Sequence, residues 1–138
     1  MTLQSGDYWL SSVYGSEEKG RLQVIQFYEK LVLVSYSYKQ TVTVTKVGDD
    51  SSNKYTIQRP GNPKYYQPTD YGDGLRVEFL PDYYEWTITE VGPELYRIST
   101  GDKDISWQLN KNAGEDSSIL LAVTDDTPGQ LWFFSNPA

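Results

Sequence analysis

The 138-residue sequence contains one pattern that recurs three times along its length. In residues 42–48 and again in residues 86–92, a variable first position is followed by threonine, an apolar residue, threonine, a charged residue, valine and glycine. A weaker third copy lies at residues 130–134, where Trp132 follows Trp86 by 46 positions. An internal repeat of this period constrains the fold more strongly than local propensity, because each unit must bury its apolar face against the others.

Tyrosines mark the start of each unit. Tyr8, Tyr55 and Tyr96 each lead a short strand-like segment, and they are separated by 47 and 41 residues. We therefore expect one domain that spans residues 1–138 and is built from three units of about 46 residues each. The expected unit boundaries are residues 1–48, 49–92 and 93–138.

Alternating apolar and polar residues predict four short strands in each unit. Twelve strands in three sets of four predict an all-β protein with a β-trefoil fold, a six-stranded barrel capped by three hairpins. A closed barrel also removes the free edges that apolar strands would expose. A β-sandwich is the alternative, but it gives no reason for a threefold repeat. The expected strands cover residues 7–13, 21–26, 31–36, 41–47, 54–58, 63–67, 75–80, 85–91, 95–99, 104–109, 118–123 and 130–135.

The composition removes most hydrolytic mechanisms. The sequence has no cysteine and no histidine, which excludes a cysteine nucleophile, a Ser-His-Asp triad and the usual zinc sites. The acidic pairs, such as Asp49–Asp50 and Asp125–Asp126, fall in predicted turns, where aspartate is favoured for its hydrogen bonds to nearby backbone. We therefore expect a binding protein that is not an enzyme and needs neither metal nor cofactor.

Charge and hydropathy restrict the partners. Twelve Lys and Arg against nineteen Asp and Glu give a net charge of −7, which disfavours nucleic acid and anionic membrane surfaces. The sequence has no apolar run near the roughly 18 residues of a membrane span and no signal-peptide pattern at its start, so we expect a cytoplasmic protein.

One loop carries unusually large side chains. Two apolar strands in the region 22–34 flank a short connection that has neither glycine nor proline. Aromatic residues at a hairpin tip are costly to expose unless a partner uses them. The alternative is that the strand continues and Phe27 faces the core. The connection consists of Gln26, Phe27, Tyr28, Glu29 and Lys30.

A second loop presents Arg59, Asn62 and Lys64 between prolines that restrict its backbone. Such stiffness lowers the ordering cost of binding, although a plain Pro-Gly turn explains the segment nearly as well. For the recurring tyrosines and for Trp86 and Trp132, we expect layers of the barrel core and no ligand contact.

The start of the chain resembles a known family. Residues 86–88, 96–98 and 130–132 are similar to the same family pattern in a more generic way. The opening resemblance rests on Leu3, Ser5, Gly6, Tyr8, Leu10 and Val13, followed by Gly20 and Arg21. The family that these residues resemble is that of the cospin-type serine protease inhibitors of mushrooms, which are β-trefoils.

The resemblance implies an inhibitor whose reactive site is the loop between the second and third strands. In the family a basic residue of this loop enters the S1 pocket of trypsin, and the matching position here is Phe27. An aromatic side chain suits the hydrophobic S1 slot of a chymotrypsin- or subtilisin-like enzyme. The implied function is therefore defence through inhibition of such a serine protease, with Phe27 as the P1 residue.

Two alternatives stay open. Mushroom trefoil lectins are also similar, because Gln130 and Trp132 form a Gln-x-Trp element, and a sugar site would then use residues of the third unit. The other alternative is inhibition of a cysteine protease, in which the Asn62 loop meets an asparagine-specific enzyme, although Pro63 argues against ordinary substrate-like docking there. The candidate sugar-binding residues are Asp102, Asp104, Trp107 and Asn110.

Overall fold

The computed structural model describes residues 3–101 and 104–137. This part of the chain forms twelve strands, and each of the twelve predicted strands overlaps one of them. A 3₁₀ turn at Pro128–Gln130 precedes the last strand. The strands are β1 (Gly6–Ser16), β2 (Gly20–Phe27), β3 (Leu31–Ser35), β4 (Thr41–Lys46), β5 (Lys54–Gln58), β6 (Tyr65–Asp70), β7 (Leu75–Leu80), β8 (Trp86–Gly92), β9 (Leu95–Ser99), β10 (Ile105–Gln108), β11 (Leu120–Val123) and β12 (Trp132–Ser135).

Six strands close into a ring of antiparallel pairs that joins β1, β4, β5, β8, β9 and β12 and returns to β1. The other strands form the hairpins β2–β3, β6–β7 and β10–β11, which are linked through β3–β7, β7–β11 and a bridge between Leu33 and Ser118. The hairpins lie at one end of the barrel. The turns β4–β5 and β8–β9 lie at the other, which is called the open end below. The arrangement agrees with the predicted threefold set of four strands.

The strand register repeats in every unit. The first strand of a unit places its tyrosine opposite the same position of the fourth strand, so the interior of the barrel is built from equivalent layers. The expectation that the recurring aromatic residues form the core is confirmed for Tyr55, Trp86, Tyr96 and Trp132, which are all buried. The equivalent pairs are Tyr8 with Val42, Tyr55 with Trp86 and Tyr96 with Trp132.

Trp107 lies at the centre of the core. Its ring centroid is 5.5 Å from that of Trp86, 5.8 Å from that of Trp132 and 6.2 Å from that of Tyr66. The indole of Trp86 donates to the carbonyl of Tyr66 at 2.8 Å, and the indole of Trp132 donates equivalently to the carbonyl of Trp107 at 3.1 Å. Both bonds fix a hairpin strand against the barrel, which makes the core a rigid support for the loops above it.

Candidate functional site

The loop between β2 and β3 is a short hairpin tip. The strand register continues to the pair Phe27 and Leu31, which leaves only Tyr28, Glu29 and Lys30 beyond it. The side chain of Phe27 is 42% exposed and that of Tyr28 is 77% exposed. Phe27 therefore does not face the core, and the hairpin presents both rings to solvent.

The two rings contact each other at a centroid distance of 4.2 Å and an angle of 55°. Tyr28 has a φ of 55°, a left-handed conformation that bulky residues seldom adopt. Such a conformation costs free energy and persists where the surrounding structure fixes it. The tip therefore needs supports from the rest of the protein.

The first support comes from the same unit. The side chain of Gln40 accepts from the backbone N–H of Gln26 at 2.7 Å and donates to the carbonyl of Gln26 at 3.0 Å. Gln26 in turn donates from Nε2 to the carbonyl of Tyr28 at 2.6 Å. Two glutamines thus fix the main chain on the β2 side of the tip.

The second support comes from the neighbouring unit. Arg59 donates from Nη1 to Oε1 of Gln26 at 3.3 Å, and Lys64 donates from Nζ to the carbonyl of Glu29 at 3.4 Å. The backbone N–H of Phe79 donates to the carbonyl of Lys30 at 2.9 Å. The structure thus brings together two loops that the sequence presented as separate candidates.

Asn62 does not take part in this contact. Its side-chain Oδ1 accepts from the backbone N–H of Lys64 at 3.0 Å, and its own N–H donates to the carbonyl of Arg59 at 3.0 Å. The asparagine holds the Pro-Gly turn in shape, so its side chain has a structural use in the second loop.

A buried phenol lies beside Arg59 beneath the loop. Burial raises the pKa of Tyr66 well above its ordinary value, and the nearby Arg59 guanidinium acts in the opposite direction. In the described ranges, neither the Tyr66 hydroxyl nor Nε of Arg59 has a hydrogen-bond partner. Because Tyr66 stays neutral over the ordinary pH range, the charge of Arg59 remains available to Gln26 and to groups near the tip.

Removing the first support should destabilise the fold measurably. We expect Gln40→Leu to lower the free energy of unfolding by about 1–2 kcal/mol, because the N–H and C=O of the buried Gln26 lose their partner. The matched control is Gln58→Leu, which removes only a long bond of 3.4 Å at an exposed site. Urea unfolding of both variants checks this, and equal losses in the two would contradict the bracing role of Gln40.

The aromatic residue predicted for a sugar site lies in the core. Trp107 is 0% exposed and packed among other rings, so the expectation that it offers a platform for a sugar is corrected. Trp107 alternates in the sequence with the apolar Ile105 and Leu109, and this alternation indicates that its side chain faces the core. Asp104 and Asn110 are exposed, whereas Asp102 lies outside the described residues.

The Gln-x-Trp element also has a structural explanation. The fully buried Gln130 donates from Nε2 to Oε1 of Gln108 at 3.0 Å and to the carbonyl of Val123 at 2.8 Å. Its Oε1 accepts from the backbone N–H of Asp125 at 2.9 Å. The side chain therefore has no free group to offer to a ligand.

A polar groove that the sequence did not indicate lies between the second and third units. It has a volume of about 580 Å³ and is lined by Arg76, Asn110, Lys111, Asn112 and Ser117, among others. Amides, a hydroxyl and two cations can donate to hydroxylated or anionic ligands. Of these residues only Asn110 was a candidate from the sequence. Arg76 reaches the groove from β7, a strand of the second unit.

Within residues 3–101 and 104–137, no three acidic side chains come together in a way that could hold a metal ion. No helix in the same ranges has the length and apolarity needed to cross a membrane.

Comparisons with known proteins identify the architecture. No protein-family model and no curated protein matches the sequence. A ricin B-like lectin of Macrolepiota procera, solved with lactose, has a TM-score of 0.77 at 18% identity and covers 99% of both chains. The chain is a β-trefoil. At this identity the likeness shows the fold alone.

Two further solved structures share this fold. A proteinase inhibitor of Coprinopsis cinerea has a TM-score of 0.73 at 15% identity and covers 98% of this chain and 99% of its own. The Rhizoctonia solani agglutinin has a TM-score of 0.78 at 16% identity and covers 99% of this chain and 98% of its own. Fungal trefoils that resemble this one therefore include both lectins and an inhibitor.

Proposed function

We propose that this β-trefoil is a serine protease inhibitor that docks the loop 26–30 in the active site of a chymotrypsin- or subtilisin-like enzyme. The observation that carries the proposal is the pair of exposed rings on a tip whose backbone is fixed from two units. Exposed aromatic groups cost stability in a monomer, so their place on a rigid tip favours a partner-binding role.

The chemistry of the tip suits a hydrophobic specificity pocket. With Phe27 as P1, its ring enters the apolar S1 slot, and the peptide bond between Phe27 and Tyr28 faces the catalytic serine. Because the loop is already ordered, docking loses little conformational entropy, and an interface of about 1,600 Å² in total suffices for tight binding. Both sides of the bond stay attached to the barrel, so cleavage is slow or reversible.

The direct test is inhibition of chymotrypsin, subtilisin and trypsin by the purified protein. We expect nanomolar inhibition of at least one of the first two enzymes and a loss of about 100-fold or more in Phe27→Ala, because anchors of this kind dominate binding. The control is Val91→Ala, which truncates an equally exposed side chain, also 42%, at the open end of the barrel. Unchanged inhibition in Phe27→Ala, or none by the parent protein, would refute the proposal.

A second candidate function is carbohydrate binding at the polar groove. The specific observation in its favour is the set of amide, hydroxyl and cationic groups around Asn110, and lectins are among the similar folds. Glycan-array binding that is lost in Asn110→Ala, without inhibition of any protease, would establish this alternative in place of the first.

A further inference from the structure

A pocket of about 350 Å³ lies at the open end of the barrel. It is separate from the aromatic loop and from the polar groove. Its wall combines aromatic rings with two carboxylates, and neither the repeat nor the proposed inhibition explains this combination. The residues that matter for its chemistry are Tyr8, Tyr96, Phe134, Glu90 and Glu94.

The aromatic part is ordered by edge contacts. The ring of Phe134 lies 5.7 Å from that of Tyr8 at 86° and 5.4 Å from that of Tyr96 at 88°. These T-shaped contacts hold the three rings in fixed orientations. The pocket therefore has a preformed aromatic wall.

The carboxylates come from β8 and from the turn that follows it. Glu90 lies directly opposite Tyr96 in the β8–β9 register. It follows the inward-facing Ile88 by two positions on the same face of β8, near the end of that strand. Glu94 follows Pro93 and has a φ of 58°, a conformation that glycine adopts at lower cost.

The hydroxyl of Tyr96 supplies a second, independent indication. Tyr96 is only 8% exposed and lines the pocket, yet its hydroxyl bonds to no other residue in the described part of the chain. Burial raises the pKa of Tyr96, and the nearby Glu90 and Glu94 carboxylates raise it further. The Tyr8 hydroxyl donates to the carbonyl of Gln4 at 2.7 Å, which leaves its lone pairs as acceptors.

We propose that this pocket binds a primary ammonium group carried on an alkyl chain. An ammonium has three donors and no acceptor, so it matches the Glu94 carboxylate and the phenolic oxygens that line the pocket. The rings line the path of the alkyl chain and attract a cation at their faces. Anionic ligands are repelled by the two carboxylates, and the chain as a whole carries a charge of −7. The ammonium can belong to a small amine or to a lysine side chain.

The test is a titration of the full chain, followed by two-dimensional amide NMR at pH 7 and constant ionic strength. The probes are n-butylammonium, Nα-acetyl-lysine methylamide and the neutral n-butanol. We expect both ammonium probes to shift the amides of Glu94, Tyr96 and Phe134 with a Kd of about 1–10 mM, as fits ligands of this size. Tighter binding of the lysine derivative than of the simple amine would indicate a lysine-bearing partner, and the reverse would indicate a free amine.

Matched variants test the carboxylate directly. Glu94→Gln should weaken ammonium binding at least about fivefold, whereas Glu18→Gln, on the exposed turn between β1 and β2, should leave it unchanged. Glu94→Gly should lose binding to the same extent while its Tm stays at or above that of the parent, which separates lost binding from misfolding. Equal shifts with n-butanol, no saturable shift, or full binding in Glu94→Gln would overturn the proposal, whatever the outcome of the protease assays.

Discussion

Replacing Trp107 by alanine should lower the free energy of unfolding by about 3–5 kcal/mol. The side chain is fully buried and touches the rings of Trp86, Trp132 and Tyr66, so the substitution leaves a large cavity at the junction of the hairpins with the barrel. The free energy of unfolding of a domain of this size is about 5–15 kcal/mol, so the variant keeps only part of its stability. Urea unfolding monitored by circular dichroism measures the loss.

Phenylalanine variants separate the ring from its N–H group. Nε1 of Trp107 is buried and has no hydrogen-bond partner among residues 3–101 and 104–137, so Trp107→Phe breaks no hydrogen bond. Trp132→Phe, in contrast, breaks the bond to the carbonyl of Trp107 and leaves that acceptor unpaired. We expect the second variant to be the less stable of the two, and the opposite order would contradict this account of the core.

The second large effect concerns specificity. Phe27→Arg should raise inhibition of trypsin by about 100-fold or more and reduce inhibition of chymotrypsin by a similar factor. In trypsin the guanidinium reaches the aspartate at the base of S1, whereas the apolar slot of chymotrypsin would bury an unpaired charge. Inhibition constants of both enzymes for the parent and the variant give the four values needed.

Tyr28→Arg is the matched control, because it introduces the same charge one position along, at a side chain that is even more exposed. A switch in specificity that occurs only in Phe27→Arg supports Phe27 as P1. A switch that occurs only in Tyr28→Arg would contradict that assignment and move the P1 position to the tip. No switch in either variant would remove the loop from the binding surface.

Much of the fold could be predicted, because the repeat sets the number of strands and the alternation sets their faces. The error at β6 has a physical reason. The alternation of apolar and polar residues predicts β6 at residues 63–67, but the strand runs from Tyr65 to Asp70 through Pro68. Proline has no backbone N–H, so a strand that pairs on both sides seldom contains it. Among the described strands β6 pairs with β7 alone, and this edge position tolerates the missing N–H group.

The candidate site was only half predictable. Large side chains on a glycine-free hairpin identified Phe27 and Tyr28 from the sequence, but their supports depend on how one unit packs against the next. Arg59 and Gln26 are 33 residues apart, and no local pattern connects them. Trp107 was misassigned for the opposite reason: polar neighbours in the sequence suggested a surface site, whereas the tertiary packing buries Ser106 along with the tryptophan.

The divided support of the loop also limits how it can be transplanted. Gln40 belongs to the first unit, while Arg59, Lys64 and Phe79 belong to the second, so no single stretch of sequence contains the whole arrangement. A graft of residues 26–30 onto another scaffold would carry the two rings but leave Tyr28 without the contacts that hold its positive φ. A working graft needs two adjacent units, and substitutions in the 59–64 segment will retune a loop that lies about 30 residues earlier in the chain.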